Sequence, residues 1–302
     1  MLLELVRYRK WWYMFSAILI IPGTISLIIH GLNLGIDFTG GTLLEVKVPG
    51  ITQTQQVREV VGTTYGEPTI QSTGQESYQV RVKEITPEQQ NELVSALAQR
   101  YGAGVERLRV ETVGPVIGAD ITRRAFLSVV LGSLLIVLYI AYSFRNVPKP
   151  ASGWRFGATT ILTLLHDILF TLGVFSLLGH YAGVVIDANF VAAILTVLGF
   201  SVHDTIVVFD RIRENLVRGQ GNTFEDTVNF SIVQTMVRSI NTSFTVILVL
   251  SAMYFFGGES IQHFVLALLI GIAIGTYSSI FNAAPILVTW QNWSDRRSAK
   301  RS

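Results

Sequence analysis

The sequence predicts an α-helical integral membrane protein of six transmembrane helices. An α+β domain of ferredoxin-like βαββαβ order is inserted between helices one and two. Three observations carry this. Half of the 302 residues are hydrophobic and only 15% charged, with mean hydropathy +0.46, a balance too apolar for an ordinary soluble domain. Six stretches meet the roughly 20 apolar residues that a helix needs to cross the hydrocarbon: about 11–30, 125–144, 157–178, 189–209, 231–256 and 263–290. Between the first two lies a polar segment, 31–122, patterned as a small folded domain.

Span one follows Arg7, Arg9 and Lys10 and begins with Trp11, Trp12 and Tyr13. It is too long for a signal-peptide core and no small-x-small cleavage site follows it, so it reads as an uncleaved anchor. Basic residues fix the orientation. They precede span one, lie between spans two and three (Arg145, Lys149, Arg155) and between four and five (Arg211, Arg213, Arg218), and close the chain in a basic tail over 291–302 (Arg296, Arg297, Lys300, Arg301). The loops 179–188 and 257–262 have none. Both termini are expected in the cytoplasm and 31–122 outside it. Arg123 and Arg124 run against the trend, after a long loop where the rule is weak. The net charge of +2 belongs mostly to the positive-inside residues and offers no nucleic acid a surface. With no cysteine, disulfides and thiolate metal sites are excluded.

In the outer segment, Leu44 to Val48 alternates as a strand. Val57, Val60 and Val61 mark a short helix over about 52–62, and strands follow near 68–73 and at 78–82. Thr86-Pro87-Glu88-Gln89 is a helix start, with an N-cap threonine, proline at the first position and glutamine at the third. A last strand over about 106–112 should turn Leu108 and Val110 to the same face. No phosphate loop or metal-ligand spacing occurs, and the fold alone implies no function.

The remaining five spans, 123–290, carry the informative polar residues, since ionisable groups inside a membrane usually face the bundle interior and serve function. Asp204 stands six residues before Asp210, about 9 Å from the inner end of span four. Arg238 is at about 10 Å on span five, with Asn241, Thr242 and Thr245 on its face. Opposite charges at matching depth on consecutive spans predict a buried ion pair, either a static lock or a working element. Asp167 is near the midplane of span three, in line with Thr160, Thr163 and Thr171. It suits a proton stop, or equally a protonated acid in a packed interface. His166-Asp167 and His203-Asp204 raise a metal site, but adjacent helical residues diverge by about 100° and no third ligand cluster accompanies them. A histidine beside a proton-carrying acid instead tunes or relays protons. Ala267, Gly271, Gly275 and Ser279 form a small-residue packing face on span six.

These residues resemble the SecF branch of the SecD–SecF protein-export family, in the resistance–nodulation–division superfamily of proton-driven transporters. The likeness lies in Gly35-Ile36-Asp37-Phe38-Thr39-Gly40-Gly41, Val113-Gly114-Pro115-Val116-Ile117-Gly118, His166-Asp167, SVHDTIVVFDRIREN and RSINTS. The resemblance implies a plasma-membrane subunit that works with SecD beside the SecYEG channel. It would use proton motive force to draw out preproteins after SecA has acted, with no cofactor and no catalytic site of its own. It implies that Asp204 and Arg238 couple proton flow to movement, and Asp167 and His203 join them as proton-coupling candidates on the reading of the residues alone. Gly35, Asp37, Gly40 and Gly41 fall on the signature joining membrane to outer domain, as a glycine-permitted turn or a hinge. His203 departs from the family pattern, which has asparagine there. Three other readings stay open: a structural subunit stabilising SecD and the channel, a small-molecule or lipid exporter half, and, remotely, an intramembrane metal hydrolase.

Overall fold

A computed structural model describes residues 4–51, 53–65, 68–74 and 76–299. Thr52, at the expected start of the first outer helix, and Lys300 and Arg301 of the basic tail lie outside the described residues. The chain divides into two compact units. One holds the chain up to Leu32, Leu127–Val184 and from Asn189 onward; the other holds Asn33–Phe126 and Val185–Ala188.

The first unit is helical, and among the described residues of the chain six segments are long and apolar enough to cross a membrane. In chain order the helices that supply them are α1 (Arg9–His30), α5 (Pro115–Ser143), α6 (Gly153–Ala182), α7 (Ala188–Val217), α8 (Phe224–Phe256), and α9 (Glu259–Ser278) continuing into α10 (Ala284–Ala299). The intervening labels belong to the second unit. The helices overrun the apolar windows, because a helix that has crossed the hydrocarbon goes on hydrogen-bonding itself in water. Thus α10 absorbs the stretch 291–299 that the sequence assigned to a tail. Between α9 and α10, Ser279–Ala283 is π-helical.

Small residues set how closely these helices approach. A Cβ on Gly23 of α1 would stand 2.8 Å from the Gly173 Cα of α6, and Ser26 and Ser176 share a 2.9 Å hydrogen bond one turn on. The small-residue stripe of the last span packs as its spacing predicts. Gly271 lies against Val197, and a Cβ on Gly275 would meet the Ser201 Cβ at 2.9 Å. Phe144, Phe156 and Phe209 form an aromatic cluster, with Phe156 4.7 Å edge-on to Phe209.

The second unit contains α2 (Ile36–Thr39), β1 (Gly41–Lys47), α3 (Thr54–Tyr65), β2 (Thr69–Gly74), β3 (Ser77–Val82), α4 (Pro87–Tyr101) and β4 (Glu106–Val113). The strands form one antiparallel sheet in the order β2-β3-β1-β4. Leu44, Val46, Tyr78 and Val80 bury one side of it with Val57 and Val61 of α3 and Leu93 and Leu97 of α4. The helix start at Thr86 is a capping box, as its sequence predicts. Leu108 does not share a face with Val110. The β1–β4 register slips so that Glu45 faces Arg109 while Val46 faces Arg107. The bulge turns Leu108 outward, 51% exposed, while Val110 packs against the core.

Candidate functional site

The buried polar residues of the first unit gather around two carboxylates. Asp167 on α6 is 0% exposed. Its Oδ1 lies 2.9 Å from His166 Nδ1, and its Oδ2 accepts from Ser201 Oγ of α7 at 2.5 Å and Ser278 Oγ of α9 at 2.8 Å. The partners therefore come from three helices. Thr160, Thr163 and Thr171 share the stripe, but their hydroxyls donate to carbonyls of their own helix, those of Phe156, Thr159 and Asp167. His166 is anchored in turn, with Asn282 Nδ2 3.1 Å from its Nε2. Asn282 also bonds Ser16 of α1, and Tyr277 OH joins Ser16 to the Trp12 carbonyl. With the Asn282 amide donating, Nε2 is the acceptor, which assigns the imidazole proton to Nδ1, facing Asp167.

Asp204 on α7 is 2% exposed. Its Oδ2 accepts from Ser243 Oγ of α8 at 3.3 Å, and Thr276 Oγ1 of α9 donates to Ser243 Oγ at 2.6 Å. Thr205 and Ser279 share a 2.8 Å bond beside it, and Ser279 also donates to the Ser201 carbonyl. Both acids thus end on the same short run of the last span, Thr276 for one and Ser278 for the other.

The expected ion pair between Asp204 and Arg238 is not formed, and Arg238 makes no ion pair among the described residues. Depth is not the obstacle. Asp204 lies 13 residues from the α7 end at Val217 and Arg238 lies 14 from the α8 start at Phe224, so both sit about 20 Å in. The face is. Ser243 comes five residues after Arg238, about 140° round the helix. Ser239 and Ser243 turn inward, while Gln234, Arg238, Asn241, Thr242 and Thr245 are exposed together on the other side. His203 likewise points away from the buried side of Asp204. It is exposed in a cleft of about 390 Å³, lined also by Leu135, Ile136 and Tyr139 of α5 and by Val202 and Ile206. Among the described residues no three His, Asp or Glu side chains are grouped to hold a metal.

The signature residues lie in the second unit. Gly35 N–H donates to the Ile186 carbonyl at 2.8 Å, and a Cβ on Gly35 would stand 2.9 Å from that same oxygen. Asp37 Oδ2 accepts from the backbone N–H of Ala188, the first residue of α7, at 2.8 Å. Gly40 and Gly41 have φ of +71° and +128°. A Cβ on Gly41 would stand 2.6 Å from the Val82 carbonyl, and one on Gly40 2.9 Å from the Pro115 Cα. These are the demands of a tight turn that only glycine meets.

Sequence reading singled out Asp167 and Asp204 but passed over Ser278, Ser243, Asn282 and Thr276. The available signal was the run Thr276-Tyr277-Ser278-Ser279 followed by Asn282, dense in side-chain hydroxyls and amide for a membrane span. The π turn there, a feature often found at functional sites, begins at Ser279 and carries Asn282 inward along with Ser278 and Ser279.

Two family models match the chain. One is described as "Protein export membrane protein SecD/SecF, C-terminal", over residues 93–293, and the other as "SecD/SecF GG Motif", over residues 25–48. A protein translocase subunit SecF from Thermobaculum terrenum is 48% identical, over 96% of this chain and 95% of its own. A SecF from Anaerolinea thermophila is 39% identical over 99% and 98%. The crystal structure of SecDF, a translocon-associated membrane protein from Thermus thermophilus, superposes with a TM-score of 0.86 at 31% identity. It matches 97% of this chain, which spans 39% of the length of that one. SecDF in a super-membrane-facing form superposes with a TM-score of 0.71 over 100% of this chain and 40% of its own, again at 31% identity.

Proposed function

We propose, from the premise that this chain belongs to the SecD/SecF family of protein-export membrane proteins, that it uses a proton gradient to promote Sec-dependent export. It is a multi-pass membrane protein with a SecF-like accessory role in translocation, a transport subunit. In this reading it has no catalytic site of its own and binds no cofactor. It sits in the bacterial inner membrane with both termini cytoplasmic. Residues 31–122 form an extracytoplasmic ferredoxin-like domain, for which the βαββαβ order and the β2-β3-β1-β4 sheet speak. SecD is the partner, with the SecYEG channel and SecA-driven preproteins as the wider machinery.

One observation carries the proton reading. Two carboxylates, Asp167 and Asp204, are closed inside a helix bundle and held by hydroxyls and one imidazole, with no Lys or Arg bonded to either acid among the described residues. Ionisable side chains inside a membrane bundle are candidates for function by default, and hydroxyl partners can either donate to a carboxylate or accept from a carboxylic acid. Protonating Asp204 or Asp167 changes what Ser243 and Ser278 bond to, and so biases how α8 and α9 sit on α6 and α7.

Arg238 belongs to a different surface. A guanidinium with Gln234, Asn241, Thr242 and Thr245 at the middle of a span does not belong against lipid. We read this exposed face of α8 as the seat of SecD, whose groups would complete the coordination of Arg238. That face also favours the scaffold reading, in which the chain only stabilises SecD and the channel. Inner-membrane vesicles carrying Asp204→Asn separate the two. The proton-coupled reading expects SecD to co-purify normally while proton-dependent stimulation of export is lost. Full stimulation with Asp204→Asn would sink it, and loss of SecD together with stimulation would favour the scaffold.

A further inference from the structure

Ser278 has two acceptors within reach of one hydroxyl. Its Oγ is 2.8 Å from Asp167 Oδ2 and 3.0 Å from the Gly275 carbonyl oxygen. Ser201, the other hydroxyl on Oδ2, has Asp167 as its side chain's acceptor and no second one among the described residues. His166 presents its Nδ1 proton to Oδ1. An ionised Asp167 accepts from all three, the full complement that a buried carboxylate needs.

A proton added to Oδ2 must find an acceptor, and an extra proton in a site built of donors ordinarily leaves two hydrogens facing each other. Ser278 removes that conflict. If its O–H turns to Gly275 O, its oxygen lone pair faces Asp167 and takes the new O–H of the acid. The result is Asp167 Oδ2–H to Ser278 Oγ, and Ser278 Oγ–H to Gly275 O. Every polar atom is satisfied in both states, and no heavy atom has to move.

The receiving carbonyl is not an ordinary one. Ser279 N–H, the first amide of the π segment, is shared between the carbonyls of Gly275 and Thr276. Gly275 O is therefore the last α-type acceptor at the entrance to the π segment, with Thr276 O as the 3₁₀-type alternative for the same amide. A hydroxyl turned onto it competes with Ser279 N–H, and the choice reaches Asn282, inside the π turn and bonded to both His166 and Ser16.

We propose that Ser278 is a positioning residue that reads the protonation state of Asp167 and passes it to the α-to-π junction of the last span. This rests on the reading of Asp167 as a proton site. The titratable groups near it are few. His166 faces it from its own helix, α7 offers Ser201 with Asp204 occupied by Ser243, and Tyr277 OH is engaged by Ser16 and Trp12.

The test is infrared difference spectroscopy of the full chain in lipid vesicles, taken through an acid jump, with ¹³C at the Gly275 carbonyl. The native chain should show a hydrogen-bonded carboxylic-acid band that Asp167→Asn deletes, and the labelled carbonyl should shift to lower frequency on acidification. In Ser278→Ala the acid band should move to higher frequency, because the acid has lost its acceptor, and the label should stop responding. Ser278→Thr, which keeps the hydroxyl, should restore both, and a melting curve for each variant excludes loss of fold as the cause. An acid band unmoved in Ser278→Ala overturns the role of Ser278 and leaves Asp167 as a proton site. Absence of any band deleted by Asp167→Asn overturns both.

Discussion

Ser243, and not Arg238, is the residue of α8 that reaches Asp204, its Oγ 3.3 Å from Oδ2. The two α8 residues are five apart, so the helix that supplies a hydroxyl to the acid carries its arginine on the opposite flank. The single chain should therefore respond to the two positions differently. Ser243→Ala removes a buried hydrogen bond to a carboxyl and should cost the isolated chain about 1 kcal/mol or somewhat more. Arg238→Ala changes an exposed residue and should stay within about 0.5 kcal/mol. Thermal unfolding in detergent measures both, and the reverse order would mean that Arg238 does face the acid. With SecD present the ranking should invert, with Arg238→Ala weakening co-purification and Ser243→Ala leaving it intact.

The crossing of α1 and α6 gives a second prediction. A Cβ on Gly173 would stand 2.7 Å from the Gly23 Cα, a backbone atom that cannot move aside without moving the helix. Gly173→Val should force α1 off α6, break the Ser26–Ser176 bond and cost about 1–3 kcal/mol. Gly132→Ala is the control, because its Cβ would meet only the Leu195 side chain at 3.5 Å, an ordinary contact. Unfolding curves that place the two variants together would show that the helices can part here at no cost.

What the sequence made legible follows from what each signal measures. Six apolar windows were readable because crossing the hydrocarbon demands about 20 apolar residues whatever the helices do afterwards. Their ends were not, because Phe224 to Phe230 continues α8 in polar surroundings where hydropathy is silent. Counting residues matched the depths of Asp204 and Arg238 to each other, since rise per residue is fixed, but set both about 10 Å too shallow because the helices run past the apolar windows. Which flank turns inward was not readable. Ser239/Ser243 and Asn241/Thr242 are both polar, and only the neighbours on α7 and α9 decide between them. Asn282 was missed for a related reason: a π turn rotates the residues after it, and a 3.6-residue period does not contain that rotation. The bulge at Leu108 escaped in the same way, by adding one residue to a period of two.

In the strand-bearing unit, two glycines should respond in opposite senses to alanine. Gly41 combines φ +128° with a Cβ position 2.6 Å from the Val82 carbonyl, so Gly41→Ala must push β1 off β3. It should cost at least the roughly 1–3 kcal/mol of a strained backbone. Gly62 lies within α3, with the Pro68 ring 3.8 Å from a Cβ placed there. Gly62→Ala should stabilise by about 0.5–1 kcal/mol, since alanine restricts the unfolded chain and favours helix. Amide protection of the β1 strand in the full chain measures both, and equal effects would remove the steric account of the signature.

The bond that Asp37 makes gives a further prediction. Its carboxylate accepts from Ala188 N–H, one of the four amides that the start of α7 leaves without a helical partner. A side-chain acceptor there is worth about 1 kcal/mol against alanine. Asp37→Ala should accordingly speed hydrogen exchange at Ala188 by roughly fivefold, the ratio that such a free energy sets. Asp37→Asn keeps an oxygen to accept the bond and loses only the attraction of a full charge for the helix N-terminus, about 0.3–1 kcal/mol. Exchange in that variant should fall between the other two. If Ala188 exchanges at the native rate in Asp37→Ala, the carboxylate does not cap α7, and Asp37 would have to act through something other than this bond.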